Sequence, residues 1–170
     1  MRGPARGLLR SARRARADAN LSGAIYGVIT ATAVITGAAV HGAALGTILA
    51  ATLATLVVFW LAHVYAEVVA HHLGGRHRPS LAVVRAAMAR ELPLLEAPAL
   101  SVLLLLAGAA GLLDPGLAVD LALWAGLAQL VGWGVAYARQ QAWSWPAAAV
   151  TGAINGALGV VLIVLKALLH

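Results

Sequence analysis

The sequence predicts an all-α, polytopic membrane protein: a bundle of five transmembrane helices with the N-terminus in the cytoplasm and the C-terminus outside. Three observations predict it. Of 170 residues, 62% are hydrophobic and 11% charged, whereas soluble domains carry about a quarter charged residues. Five apolar runs are each long enough to cross a hydrocarbon core that needs about 20 helical residues. Eleven of the twelve Lys and Arg side chains fall on one side of the membrane that those runs define.

The runs extend from Asn20 to Val40, Leu45 to Leu73, Leu92 to Leu113, Leu117 to Tyr137 and Pro146 to Leu169. Helices satisfy their own backbone groups in lipid, and no alternation of polar and apolar residues points to a barrel. An Arg-rich cytoplasmic leader, residues 1–19, precedes a single transmembrane domain, residues 20–170. The turns at His41 to Ala44, Asp114 to Gly116 and Gln140 to Trp145 are short, so the helices they join run antiparallel. The connection 74–91 is the longest and is cytoplasmic. The first run is too long and too rich in Ser, Thr and Tyr for a cleaved signal peptide, and is retained as a membrane helix.

Orientation follows from the basic residues. Arg2, Arg6, Arg10, Arg13, Arg14 and Arg16 lie in the leader, Arg76, Arg78, Arg85 and Arg90 in the long connection, and Arg139 at the end of the fourth helix. The positive-inside rule places all of them in the cytoplasm. Lys166 stands alone near the other face, where its ammonium can snorkel to the interface. Trp143 and Trp145, just past Arg139, are expected to anchor the cytoplasmic interface. The expected surroundings are the bilayer of the cell membrane, with anionic lipid drawn to the leader. The arginines lack the aromatic interleaving or recognition helix of a nucleic-acid binder, so no nucleic-acid partner is expected.

The chain has no Cys, which removes disulfides and thiolate chemistry. No Gly-rich phosphate loop, hydrolase elbow or zincin motif is present, so the sequence does not predict an enzyme. Gly23 and Gly27 on the first helix, and Gly152, Gly156 and Gly159 on the fifth, are spaced for close helix packing.

Polar groups within the apolar runs carry the functional signal, because ionisable side chains in hydrocarbon are expensive. His63, Glu67 and His71 recur every fourth residue of the second helix and share one stripe. Glu67 lies about 33 Å from Leu45 along that helix, near the cytoplasmic interface. Glu96 lies between Pro93 and Pro98 on the third helix, and each proline frees a backbone carbonyl. Tyr26 and Thr30 with Ser22 form a stripe on the first helix, and Gln129 and Asn155 lie at mid-depth.

Glu67, Glu96 and His63 are therefore candidate metal ligands, with Tyr26, Thr30, Gln129 and Asn155 lining a pathway. Oxygen and nitrogen donors suit Fe²⁺, Mn²⁺ or Zn²⁺ as a transported ion, and a carboxylate in lipid can exchange a metal for a proton. Equally, Glu67 can pair with His63, His71 or an arginine of the connection at the interface. His72, His77 and His170 are read as solvated, His41 as a turn residue, and Asp114 and Asp120 as charges flanking the outer turn, Asp120 in the first turn of its helix.

Gly23-Ala24-Ile25-Tyr26-Gly27-Val28-Ile29-Thr30, followed by Gly37, resembles the first helix of the vacuolar iron transporter family, whose pattern is Gly-Ala-Asn-Asp-Gly-Ile-Val-Ser with a later Gly. Ala66-Glu67 stands where that family has a Gly-Glu pair on its second helix. The five-helix plan and its orientation are similar as well. The resemblance implies a homodimer exchanging Fe²⁺ or Mn²⁺ for protons. Tyr26 occupies the place of the family's metal-path Asp, and the connection 74–91 is short and basic where the family's is longer and Glu-rich. Two functions follow: a small cation transporter using Glu67, Glu96 and His63, or a non-transporting scaffold that assembles with partners through its glycine faces.

Overall fold

The computed structural model describes residues 4–72 and 80–169. Arg76, His77, Arg78 and His170 lie outside them, and the side chains of the leader arginines, His71 and His72 are likewise outside what is described. The chain order is α1 (Pro4–Val40), α2 (Leu45–His72), α3 (Leu81–Glu91), α4 (Pro93–Glu96), α5 (Ala99–Ala109), α6 (Pro115–Gln140) and α7 (Trp145–Leu169). Among the described residues four stretches are long and apolar enough to cross a membrane: Leu21–Val40, Leu45–Ala70, Pro115–Gln140 and Trp145–Leu168. A bent pair, Leu81–Glu96 with Ala99–Ala109, passes the same test of length and composition when counted as one broken span, for four to five in all. The protein is an all-α, multi-pass membrane bundle.

The third expected helix is corrected here. Instead of one straight span from Leu92 to Leu113, the chain enters through α3, whose N-cap Ser80 accepts a hydrogen bond from Val83 N at 3.4 Å. It continues into α4, then bends by 59° before α5. The bend falls at Pro98, the N-cap of α5. That proline has no N–H for the carbonyl four residues back, and its ring opposes continuation of the helix.

Local chemistry sets the other helix ends. Asp114 caps α6, its Oδ1 accepting from Gly116 N at 2.9 Å and Leu117 N at 3.1 Å, with Pro115 preset in the first turn. α1 and α5 end in left-handed residues, Gly42 (φ 66°) and Gly111 (φ 76°), each followed by a hydrogen bond that closes the last turn, Ala43 N to Ala38 O at 3.1 Å and Leu112 N to Ala107 O at 2.9 Å. α6 ends in the same bond pattern with alanine in the left-handed position, Ala142 at φ 58°.

α1 runs through the whole core. Near the leader end Ala24 and Val28 pack with Ala97 and Leu130. In the middle Ala31 meets Leu56 and Leu94. At the far end Ile35 and Ala39 join Ile48, Leu105, Val119, Ala122 and Leu123. Apolar side chains gain little by leaving lipid for protein, so close van der Waals packing and interhelical hydrogen bonds must hold such a bundle. The glycines supply the closeness. Gly152 and Gly156 lie against Val131 of α6, Gly159 against Leu127, and Gly134 of α6 against Gly152 and Asn155. Ser101 Oγ donates to Ala122 O at 2.9 Å, tying α5 to α6. α2 is the least buried of the four unbroken spans.

Candidate functional site

The bend creates the site. Gly27 faces Leu94, and a Cβ at that position would collide with the Leu94 carbonyl oxygen, so only glycine lets α1 touch the backbone of α4. At the elbow the carbonyl of Ala97 accepts a hydrogen bond from Gln129 Nε2 of α6. Beside the elbow an open cleft of about 560 Å³ lies between α1, α4 and α6. Leu21, Ala24, Pro93 and Ala97 form its apolar walls, Trp133 its aromatic one, and Glu96, Gln129 and Gln140 supply polar groups. Val28 and Leu130, both fully buried, pack with the wall residues Ala24 and Ala97.

Two features of the cleft bear on chemistry. Glu96 is exposed and, among the described residues, takes part in no ion pair. Gln129 Oε1 is buried without a hydrogen-bond partner among the described groups, because its amide spends the nitrogen on Ala97 O and leaves the acceptor unused.

The other sequence candidates lie elsewhere. Glu67 Oε1 is 3.0 Å from Arg90 Nη1 of α3, an ion pair with an arginine of the connection as in one of its two readings. His63 donates Nδ1–H to Phe59 O at 2.9 Å, and its ring lies 5.2 Å from that of Tyr26. Tyr26 also meets Phe59 at 5.7 Å between ring centroids. Among the described residues no group of three His, Cys, Asp or Glu side chains could hold a metal ion. Glu67, Glu96 and His63 are not gathered as the sequence suggested. The described walls of the Glu96 cleft include no residue of α2, which carries the other two.

The expected pathway also divides. Gln129 lines the cleft, but Tyr26 packs against α2, Thr30 is half-buried outside the described walls, and Asn155 fills the α6–α7 contact at Gly134. Trp133 and Gln140 had no place in the sequence reading. Their signal was available, because Gln129, Trp133 and Gln140 recur at intervals of four and seven and so share one face of α6.

At the other end of the bundle Lys166 Nζ stands 2.5 Å from Asp120 Oδ1. Lys166 is only 16% exposed, so it is a partner of α6 rather than a free snorkelling cation, and Asp120 has this role in addition to its place near the helix start. At the leader end Arg139 donates Nη1–H to Trp143 O at 2.6 Å and lies 4.4 Å over the Trp145 ring. Trp143 in turn meets Tyr137 edge-on at 5.9 Å. This cluster has the amphipathic chemistry of an interfacial belt.

No family model, no curated protein and no solved structure matches the chain. Fold and site together define a class: a multi-pass all-α membrane protein with a broken helix and a carboxylate-bearing cleft at one end.

Proposed function

We propose that the protein is a small membrane transporter that loads a cation from its arginine-rich, cytoplasmic end. The observation that carries this reading is the cleft holding Glu96. A carboxylate with no basic partner among the described residues, flanked by a broken helix and set in apolar walls, is the usual form of a substrate or ion site in a transporter bundle. The basic-residue distribution supports the cytoplasmic assignment of this end. The apolar cluster of Ile35, Leu105, Ala122 and Leu123 lies beyond it toward the Lys166 end.

Among the described residues the ligand set that would make iron the cargo is not assembled. The scaffold alternative loses its main support, because the glycines at 23, 27, 152, 156 and 159 all have neighbours within the chain. The test is cation uptake into proteoliposomes, with and without an imposed pH gradient. Uptake that Glu96→Gln abolishes supports the reading. Failure of any inorganic or organic cation to enter above protein-free vesicles overturns it.

A further inference from the structure

We infer that Arg139, Trp143 and Trp145 form a site for the phosphate of one anionic phospholipid in the leaflet at the arginine-rich end, independently of what the protein transports. The site begins with the end of α6. Ala142, at φ 58°, turns the chain back so that Trp143 N bonds to Ala138 O at 3.0 Å, and Tyr137 meets the Trp143 ring edge-on. The turn sets the Trp143 carbonyl where Arg139 Nη1 reaches it at 2.6 Å. Only residues 141–144 separate α6 from α7, so the Trp145 ring comes to lie 4.4 Å from the same guanidinium.

Arg139 is thus held at one end and on one face. The carbonyl takes one of its five N–H donors and the indole takes its π face. The Nε–Nη2 edge is left to donate to two phosphate oxygens at once, a geometry that lysine cannot copy. Arg90 and Lys166 each hold a carboxylate, whereas no carboxylate pairs with Arg139 among the described residues. A partner carrying net negative charge completes the site.

Depth selects the source of that charge. Arg139 is exposed at the end of one membrane span, and Trp145 opens the next. Trp143 and Trp145 are 44% and 67% exposed, and amphipathic indoles at a membrane face lie at headgroup level. A soluble anion meets the arginine alone. A phospholipid also covers the two indoles with its glycerol and upper acyl chains, and one with no ammonium of its own brings no second cation to the site.

Native mass spectrometry of the full chain, released from detergent with phosphatidylglycerol, phosphatidylcholine or inorganic phosphate, tests this by counting bound molecules. The first phosphatidylglycerol is expected to bind about fivefold more tightly than phosphatidylcholine, the worth of one basic residue near the surface. Arg139→Gln should erase that preference, and Arg139→Lys should keep only part of it, since the charge stays but the fork is lost. Trp145→Leu, which leaves the charge in place, serves if Arg139→Gln does not fold and should weaken phosphatidylglycerol about two- to fivefold. Arg85→Gln, which removes an exposed charge of α3 outside the site, should leave the first lipid bound as before.

Equal binding of the two lipids, equal losses in Arg139→Gln and Arg85→Gln, or no loss in Trp145→Leu would make this face a diffuse basic surface and overturn the site. Inorganic phosphate binding in the lipid's place at equal concentration would assign it to a soluble anion and overturn the lipid. None of these outcomes bears on cation uptake, which stands or falls with Glu96.

Discussion

Ala142 adopts φ 58° at the end of α6, a conformation that costs an L-residue with a Cβ about 1 to 2 kcal/mol. Ala142→Gly should therefore stabilise the protein by about 1 kcal/mol, read as a higher melting temperature in detergent. No turn residue in Gln140-Gln141-Ala142 announced this cap. It exists because Trp143 N closes on Ala138 O at 3.0 Å, a bond visible only in the fold. Gly27 was legible as a packing residue, since its spacing from Gly23 is the small-residue pattern. Its partner was not, because nothing in the sequence tells α1 which backbone will approach. Gly27→Ala should destabilise by about 1 to 3 kcal/mol, since the Leu94 carbonyl is main chain and yields less readily than a side chain. A melting temperature unchanged by that substitution would refute the contact.

At the scale of elements, the two prolines of the third span were legible, and so was the polar group between them. The bend was not, because proline within a membrane helix gives either a modest kink or a full break according to what packs around it. Here Gln129 and Gly27 hold the broken form. Pro98→Ala restores the N–H that the Leu94 carbonyl lacks and should reduce the 59° bend. With no native Cys, spin labels at engineered cysteines in α3 and α5 can report it as a lengthened distance between them. An unchanged distance would place the cause of the bend in tertiary packing alone. The Glu67–Arg90 pair that joins α2 to α3 is half exposed, so Arg90→Ala should change stability by no more than about 1 kcal/mol. The sequence offered this pairing beside a metal role for Glu67. It could not choose, because the choice depends on α3 turning its arginine back toward α2.

For the whole molecule, four of the five spans match the apolar runs to within a few residues, since lipid leaves a chain this apolar few alternatives to helices. The site was legible only in part. Glu96 and Gln129 stood out as polar groups in hydrocarbon, but periodicity along one helix says nothing about which stripe meets which, so His63 and Tyr26 were grouped with Glu96 although α2 carries the histidine elsewhere. Orientation can be measured with single cysteines and a membrane-impermeant maleimide. A cysteine at Ala44 should label from outside intact cells, and one at Ser144 only after permeabilisation. The reverse pattern would invert the proposed loading side.

The broken span also has a consequence for the surrounding bilayer. α5 has 11 residues, about 16 Å of helix against a hydrocarbon core of about 30 Å. The remainder must be crossed obliquely by Leu81–Glu96, which carries Arg85, Arg90 and Glu91. Those charges cannot be drawn far into acyl chains, so lipid beside α3 must thin or tilt to meet them, a hydrophobic mismatch confined to one flank. The other spans, at 20 to 26 residues, impose no such demand. The protein should therefore be more stable in short-chain lipid than in long-chain lipid, and Pro98→Ala, by straightening the span, should weaken that preference. Melting temperatures measured across a series of acyl-chain lengths would reveal the flank as a membrane-thinning edge, or, if they do not vary, as one fully matched to its surroundings.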